Sequence, residues 1–268
     1  MWVGQQLADG LDFWGFLGSL ILGGIILGIY TGLLGYVGAK TGLSLDLLSQ
    51  RAFGEKGSYL PSAMTSFTQI GWFGVGSFVS GGTATPNFAR FAKDGKSGAI
   101  TTVVAFFIGN SLMFFFGAVS SIFVGGNDIF EVMVRLNLFY LAVLVLGLNI
   151  WTTNDNALYT AGLGLANIFH QRKKPMVLLS GIIGTVASVW LYYNFCGWLN
   201  ILNCTLPPVG MILVLAYFMN KEDFETDQPK LKTIDWFAVA GVILGAIVAN
   251  LLHWGIASIN GMVVAAVC

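Results

Sequence analysis

The sequence predicts an all-α polytopic membrane protein, and three observations carry that prediction. Hydrophobic residues make up 56% of the 268 positions and charged residues only 10%. Mean hydropathy is +0.76. Charge is also absent from long stretches: 13–39, 57–89, 97–127, 136–154, 175–220 and 236–268. A helix needs about 20 apolar residues to cross a bilayer, so most of these predict one span and 175–220 predicts two. Barrel strands would instead show short alternating segments, and the chain has none of that pattern.

The remaining composition narrows the function classes. Net charge is zero, which argues against a nucleic-acid partner. Asp9 and Asp12 stand where a cleavable signal peptide would carry its basic leader, so none is expected. Cys196, Cys204 and Cys268 are odd in number and lack metal-ligand spacing, so neither a disulfide framework nor a zinc site is implied. His170 and His253 sit near span ends and read as interfacial residues. Without a Ser/His/Asp or Cys/His constellation or a phosphate loop, no catalytic residue is assigned, and an enzyme is disfavoured. Gly24, Gly28 and Gly32 recur every four residues on one helix face, which predicts close helix packing.

Basic residues mark cytoplasmic loops. Twelve of the thirteen form four clusters: Lys40, Arg51 and Lys56; Arg90, Lys93 and Lys96; Arg172, Lys173 and Lys174; Lys221, Lys230 and Lys232. Only Arg135 lies elsewhere. Two spans separate the second cluster from the third, and two more the third from the fourth, so each interval returns to one side. The first interval breaks this parity, because 57–89 has room for a single span. Either it re-enters without crossing, or an odd number of helices is missing. After the span at 236–255, "SINGMVVAAVC" is too short to cross, and "MWVGQQLADG" is too polar and short to form a helix of its own.

Three motifs carry chemistry. In "GLNIWTTNDNALYTAGLGL", residues 147–165, Asn149, Thr152, Thr153 and Asn156 fall at i, i+3, i+4 and i+7 and line one helical stripe, with Asn154 beside it. Neutral oxygens gathered this way suit Na⁺, by analogy with other hard cations; interhelical hydrogen bonding is the alternative. Asp155 reads as a proton carrier or as a carboxylate tied up by its neighbours. In "TQIGWFGVGSFVSGGT", residues 68–83, Gln69, Ser77, Ser80 and Thr83 alternate with Trp72, Phe73 and Phe78 among several glycines. Aromatic faces beside amides and hydroxyls suit a flat polar heterocycle; an aromatic interfacial belt is the alternative. "CTLPPVG", residues 204–210, places Pro207 and Pro208 inside an apolar run and predicts a break or a kink. A passive channel would need a continuous polar stripe through several spans, and only 68–83 and 147–165 are polar enough.

At "GWFGVG", "GNSLMFFFGA", "LGLNIWTTNDNALYTAGLG" and "LPPVG" the chain resembles the nucleobase:cation symporter-1 family, along nearly its whole length. The resemblance implies the inverted-repeat, leucine-transporter-type fold, here in partial form with about seven remaining membrane segments. The implied activity is symport of cytosine or a related nucleobase across the inner membrane, with Na⁺ as coupling cation and H⁺ as the alternative. No other cofactor and no obligate protein partner is implied. Trp72 and Phe78 would sandwich the base, while Gln69, Ser77, Ser80 and Asn154 would hydrogen-bond it. Asn149, Thr152 and Thr153 would supply one side of the sodium site. The resemblance also accounts for the parity fault. "GWFGVG" matches the family's third helix and "SFVSGGTATPNFARF" its sixth, so residues 1–268 read as one incomplete transport domain joined near Gly76 and Ser77. By the same likeness the first helix up to its break and most of the twelfth are absent.

Overall fold

The described residues of the uncharged stretches are mostly helical, a backbone form that satisfies its own polar groups in lipid. The computed structural model describes residues 13–75, 83–125, 129–226, 229, 231–252 and 255–268. In chain order the helices are α1 (Phe13–Thr41), α2 (Leu45–Phe53), α3 (Tyr59–Val75), α4 (Pro86–Ala89), α5 (Gly95–Val124) and α6 (Ile129–Arg135). Then follow α7 (Phe139–Phe169), α8 (Lys173–Tyr193), α9 (Phe195–Met219), α10 (Lys221–Glu225), α11 (Trp236–Leu251) and α12 (Ala257–Val267). The seven expected membrane segments coincide with α1, α3, α5, α7, α8, α9 and α11. Among the described residues, Trp14–Thr41, Gly95–Val124, Lys173–Leu191 and Gly197–Met219 are both long and apolar enough to cross a membrane.

The chain divides into two compact units, residues 1–32 with 100–152, and residues 33–99 with 153–268. In the first, the small-residue face of α1 packs on α5 as its spacing predicts. A Cβ added at Gly24 would lie 2.9 Å from Phe107, and one at Gly28 3.7 Å from Val103. Arg135, the basic residue outside the four clusters, pairs with Glu131 at 2.6 Å. It also donates to the carbonyl of Val124 at 3.3 Å, one of the carbonyls that the end of α5 leaves without a helical partner.

In the second unit the described residues of the four basic clusters gather at one end, as the positive-inside pattern requires. Glu55 and Lys56 donate their backbone N–H groups to Lys232 and Thr233, both at 2.8 Å. Arg51 reaches the Asp223 carbonyl at 2.6 Å, Tyr59 meets His170 at 2.7 Å, and Asn87 accepts from the Leu45 N–H at 2.8 Å. The last two contacts bear on the parity fault. Tyr59 begins α3 and Asn87 lies on α4, so the segment 57–89 starts and finishes at the same end of this unit. The junction near 76–77 lies outside the described residues.

Gly54 closes α2 in the left-handed region at φ 84°, and a Cβ there would stand 2.6 Å from the Lys232 carbonyl oxygen. Neither atom can turn away, because both belong to the backbone. Gly54→Ala is therefore expected to destabilise the folded chain by about 1–3 kcal/mol. A thermal melt in detergent reads this directly, and an unchanged midpoint would contradict it.

The two prolines do not break α9, which runs through Pro207 and Pro208 from Phe195 to Met219. Pro207 has no N–H to give to the Asn203 carbonyl four residues back. That carbonyl instead accepts from Ser258 Oγ on α12 at 3.2 Å, so the helix continues with its freed acceptor satisfied. Pro208 fills the seam where α11 and α12 meet, against Gly245 and Gly261. The segment too short to cross is thus a packed helix, α12, lying against α9 and α11.

Candidate functional site

Residues 68–75 of the first sequence motif lie on α3 and the motif at 147–165 lies on α7, and the second unit fixes how these helices meet. The Ser66 hydroxyl donates to the Ala161 carbonyl at 3.1 Å. Asn167 Nδ2 donates to Ser62 Oγ at 2.9 Å. Gly164 sits where a Cβ would be 2.1 Å from Ser66 Oγ and 2.8 Å from the Ser62 carbonyl oxygen. Rising residue numbers on α3 meet falling numbers on α7, so the pair is antiparallel.

That register places the predicted substrate residues. At 1.5 Å rise per residue, Trp72 lies about 9 Å along α3 from the Ser66–Ala161 contact, and Asn154 lies about 10 Å along α7 in the same direction. Gln69 lies between, about 4–5 Å along. Asn154 shares the Ala161 face of α7, two turns away, and Gln69 shares the Ser66 face of α3. Gln69 is buried, and the Oδ1 of Asn154 is buried with no hydrogen-bond partner among the described residues. Buried acceptors are normally satisfied, so this amide is a candidate ligand contact. Only the backbone position of Trp72 is described, and Ser77, Phe78 and Ser80 lie outside the described residues.

The floor of this arrangement is an apolar cluster of Ala157, Leu191, Trp198, Leu202 and Leu206, with Met64 packed against it. Trp198 presses on Gly71, where a Cβ would stand 2.2 Å from its ring. Sequence reading passed over Trp198, since an aromatic in an apolar span is unremarkable until its neighbour is known. It also passed over Ser62 and Ser66, whose four-residue spacing is the mark of a close helix crossing.

The predicted sodium residues lie on another face of α7 from Asn154. By helical angle, Asn149, Thr152 and Thr153 centre roughly 150° from Asn154. Asn149 and Thr152 are exposed, and Thr153 is half-buried. Asp155, beside them, is exposed as well. The Thr152 hydroxyl donates back to the carbonyls of Leu148 at 3.2 Å and Asn149 at 3.1 Å. With its hydrogen directed into the helix, its oxygen lone pairs face outward, which is the orientation a hard cation needs. A neutral hydroxyl and amide set of this kind fits Na⁺, and these three residues could hold it. Among the described residues no group of three or more His, Cys, Asp or Glu side chains is placed to hold a metal.

Comparison with known proteins bears on the family and the fold. A family model described as permease for cytosine/purines, uracil, thiamine, allantoin matches residues 1–85 and 75–267. The cytosine permease of Escherichia coli strain K12 is 36% identical, over 98% of this chain and 84% of its own length. The allantoin permease of Bacillus subtilis is 34% identical over 31% of this chain and 16% of its own length. Among solved structures, Mhp1 matches with a TM-score of 0.76 at 15% identity, covering 98% of this chain and 86% of its own. Mhp1 is a nucleobase-cation-symport-1 family transporter, solved in a closed conformation with bromovinylhydantoin bound. That likeness gives the present helices the leucine-transporter-type fold expected from the sequence. The chain is a multi-pass membrane protein, and it belongs to the family of permeases for cytosine and purines, uracil, thiamine and allantoin.

Proposed function

We propose that this architecture symports cytosine, or a related nucleobase, with Na⁺ across the inner membrane. The observation that carries the reading is the unpaired buried Oδ1 of Asn154, set in register with Gln69 and Trp72. A flat heterocycle with an exocyclic amine offers the donor this acceptor lacks, and an aromatic neighbour offers a stacking face. Ser77, Phe78 and Ser80 complete the base site in this reading, with Asn149, Thr152 and Thr153 on the cation. The cytosine permease relatives, matched over 84% of their length, support the choice of base.

In this reading Asn149→Ala and Thr153→Val raise the Na⁺ concentration needed for half-maximal cytosine binding, with little change at saturating Na⁺. Equilibrium binding of labelled cytosine across a sodium titration checks this. The same curve for both variants and the parent would remove these residues from the cation site, and H⁺ coupling would become the stronger case.

A second reading is favoured by one observation. The family model matches in two stretches that overlap at 75–85, within the segment 57–89 whose described ends, Tyr59 and Asn87, both lie at one end of the second unit. Under that reading the chain joins two separated parts of the family pattern and keeps base-binding residues without completing a transport cycle. Uptake of labelled cytosine into vesicles, with and without an inward Na⁺ gradient, separates the two. Saturable, sodium-stimulated uptake supports symport. Binding without uptake supports the second reading, and absence of both removes each.

A further inference from the structure

Asp46 is a carboxylic acid hidden at the end of the second unit where the basic clusters gather. It lies in the first turn of α2, a nine-residue helix that is not a membrane span, and is only 5% exposed. Ser62 Oγ on α3 donates to its Oδ1 at 2.6 Å. Ser62 in turn accepts from Asn167 Nδ2 on α7 at 2.9 Å. Asn167 also donates to Ser58 Oγ at 3.1 Å and accepts from Gln50 Nε2 at 2.6 Å. Asn167 is thereby satisfied, and a single directed chain runs from Gln50 through Asn167 and Ser62 to the carboxyl.

The charge that acts on Asp46 is Arg90, just past α4. Arg90 donates to the Tyr159 hydroxyl on α7, and α4 is pinned to the start of α2 through Asn87 and the Leu45 N–H. The other titratable and charged groups nearby are engaged elsewhere. Tyr59 at the start of α3 meets His170. Arg51 on α2 itself reaches the Asp223 carbonyl of α10. Tyr217 on α9 donates to Glu225, which also faces Lys40. Lys232 pairs with Asp235 ahead of α11, and α11 carries no charged residue.

Three more polar atoms at this junction are buried without a hydrogen-bond partner: Ser49 Oγ, Asn87 Nδ2 and Arg90 Nε. A closed junction that leaves buried donors unmet gains from letting water in. An ionised Asp46 gains further, because hydration favours its charge.

We propose that Asp46 is a proton-binding site: the junction of α2 with α3, α4 and α7 holds a proton there when closed and releases it on opening to cytoplasmic water. Burial supports this by pushing the carboxyl up to about 6 from an ordinary 3.8, against the lowering pull of Ser62 and Arg90. The closed form binds the proton more tightly than a hydrated form, so acid favours closure. That stabilisation is fully present below about pH 4 and is lost as pH rises through about 6. The opening equilibrium shifts by up to about a hundredfold across that window, if opening returns the carboxyl to its ordinary value.

Two measurements on the full chain in detergent or nanodiscs test the assignment without using transport. Infrared difference spectra across a pH titration follow the protonated-carboxyl band, and hydrogen–deuterium exchange, corrected for intrinsic rates, follows peptides covering 45–62 and 159–170. We expect a band lost in Asp46→Asn that titrates near pH 6, and protection that falls as pH rises. Asp46→Asn, neutral at every pH, keeps its protection flat. Ser62→Ala retains the carboxyl but removes a lowering hydrogen bond, so its midpoint moves upward, and this variant decides the matter if Asp46→Asn does not fold. A carboxyl titrating near its ordinary value, equal pH dependence in Asp46→Asn and parent, or an unmoved midpoint in Ser62→Ala would each overturn the proposal.

Discussion

Gly164→Val is expected to leave little folded protein, because it strikes the contact that sets the register of α3 against α7. The new Cβ would meet Ser66 Oγ at 2.1 Å and the Ser62 carbonyl oxygen at 2.8 Å. The serine hydroxyl can rotate; the carbonyl is held in its helix and cannot. Relief comes only by separating the helices, which breaks the Ser66–Ala161 and Asn167–Ser62 hydrogen bonds. Overpacking and unpaired buried groups together cost about 3 kcal/mol or more. Gly164→Ala imposes the same clash with less bulk and should fall between. Size-exclusion profiles and thermal midpoints of the three proteins give the ranking, and a Val variant that melts with the parent would show that the crossing is not tight.

Asn154→Leu should weaken cytosine binding about 10- to 100-fold, as expected when a ligand donor buried in the complex loses its acceptor, at about 1–3 kcal/mol. The leucine matches the amide in size and lacks its oxygen, so packing against α3 is largely kept. Gln69→Leu should act more selectively, penalising cytosine against bases with another donor–acceptor edge, because a site built for hydrogen bonding rejects an edge it cannot pair. Isothermal calorimetry with several bases reads both. Equal affinity for cytosine in Asn154→Leu and parent would remove that amide from the base site, and a uniform loss across all bases in Gln69→Leu would count against its role in reading the edge.

What the sequence disclosed followed from what a bilayer forbids. Charge-free runs had to be helices, so α1, α5, α8 and α9 were legible from length and composition alone. The polar groups at 149–156 stood out because lipid penalises them, whichever partner they find. Contacts made by ordinary residues stayed hidden. Trp198 against Gly71 depends on two helices meeting, and nothing in either residue announces it. Asp46 drew no sequence reading; only the fold shows it turned inward onto Ser62. The break that was one of the two outcomes expected at the prolines is averted for a related reason. A Pro pair marks a lost donor, but the repair comes from Ser258, fifty-five residues away in the chain from the freed carbonyl.

The clasp between the end of α2 and the approach to α11 sets an order in time. Arg51 and Asp223 are 172 residues apart, and the backbone bonds from Glu55 and Lys56 wait on Lys232 and Thr233. At roughly 5–20 residues per second of synthesis, these partners follow roughly 10–30 s later. During that interval α2 is made but unclasped, the segment that its Gly54 turn will meet not yet translated. The charged face of the second unit is therefore locked only once the approach to α11 has been made, whereas pairings such as α3 with α8 are available earlier, as soon as α8 has been made.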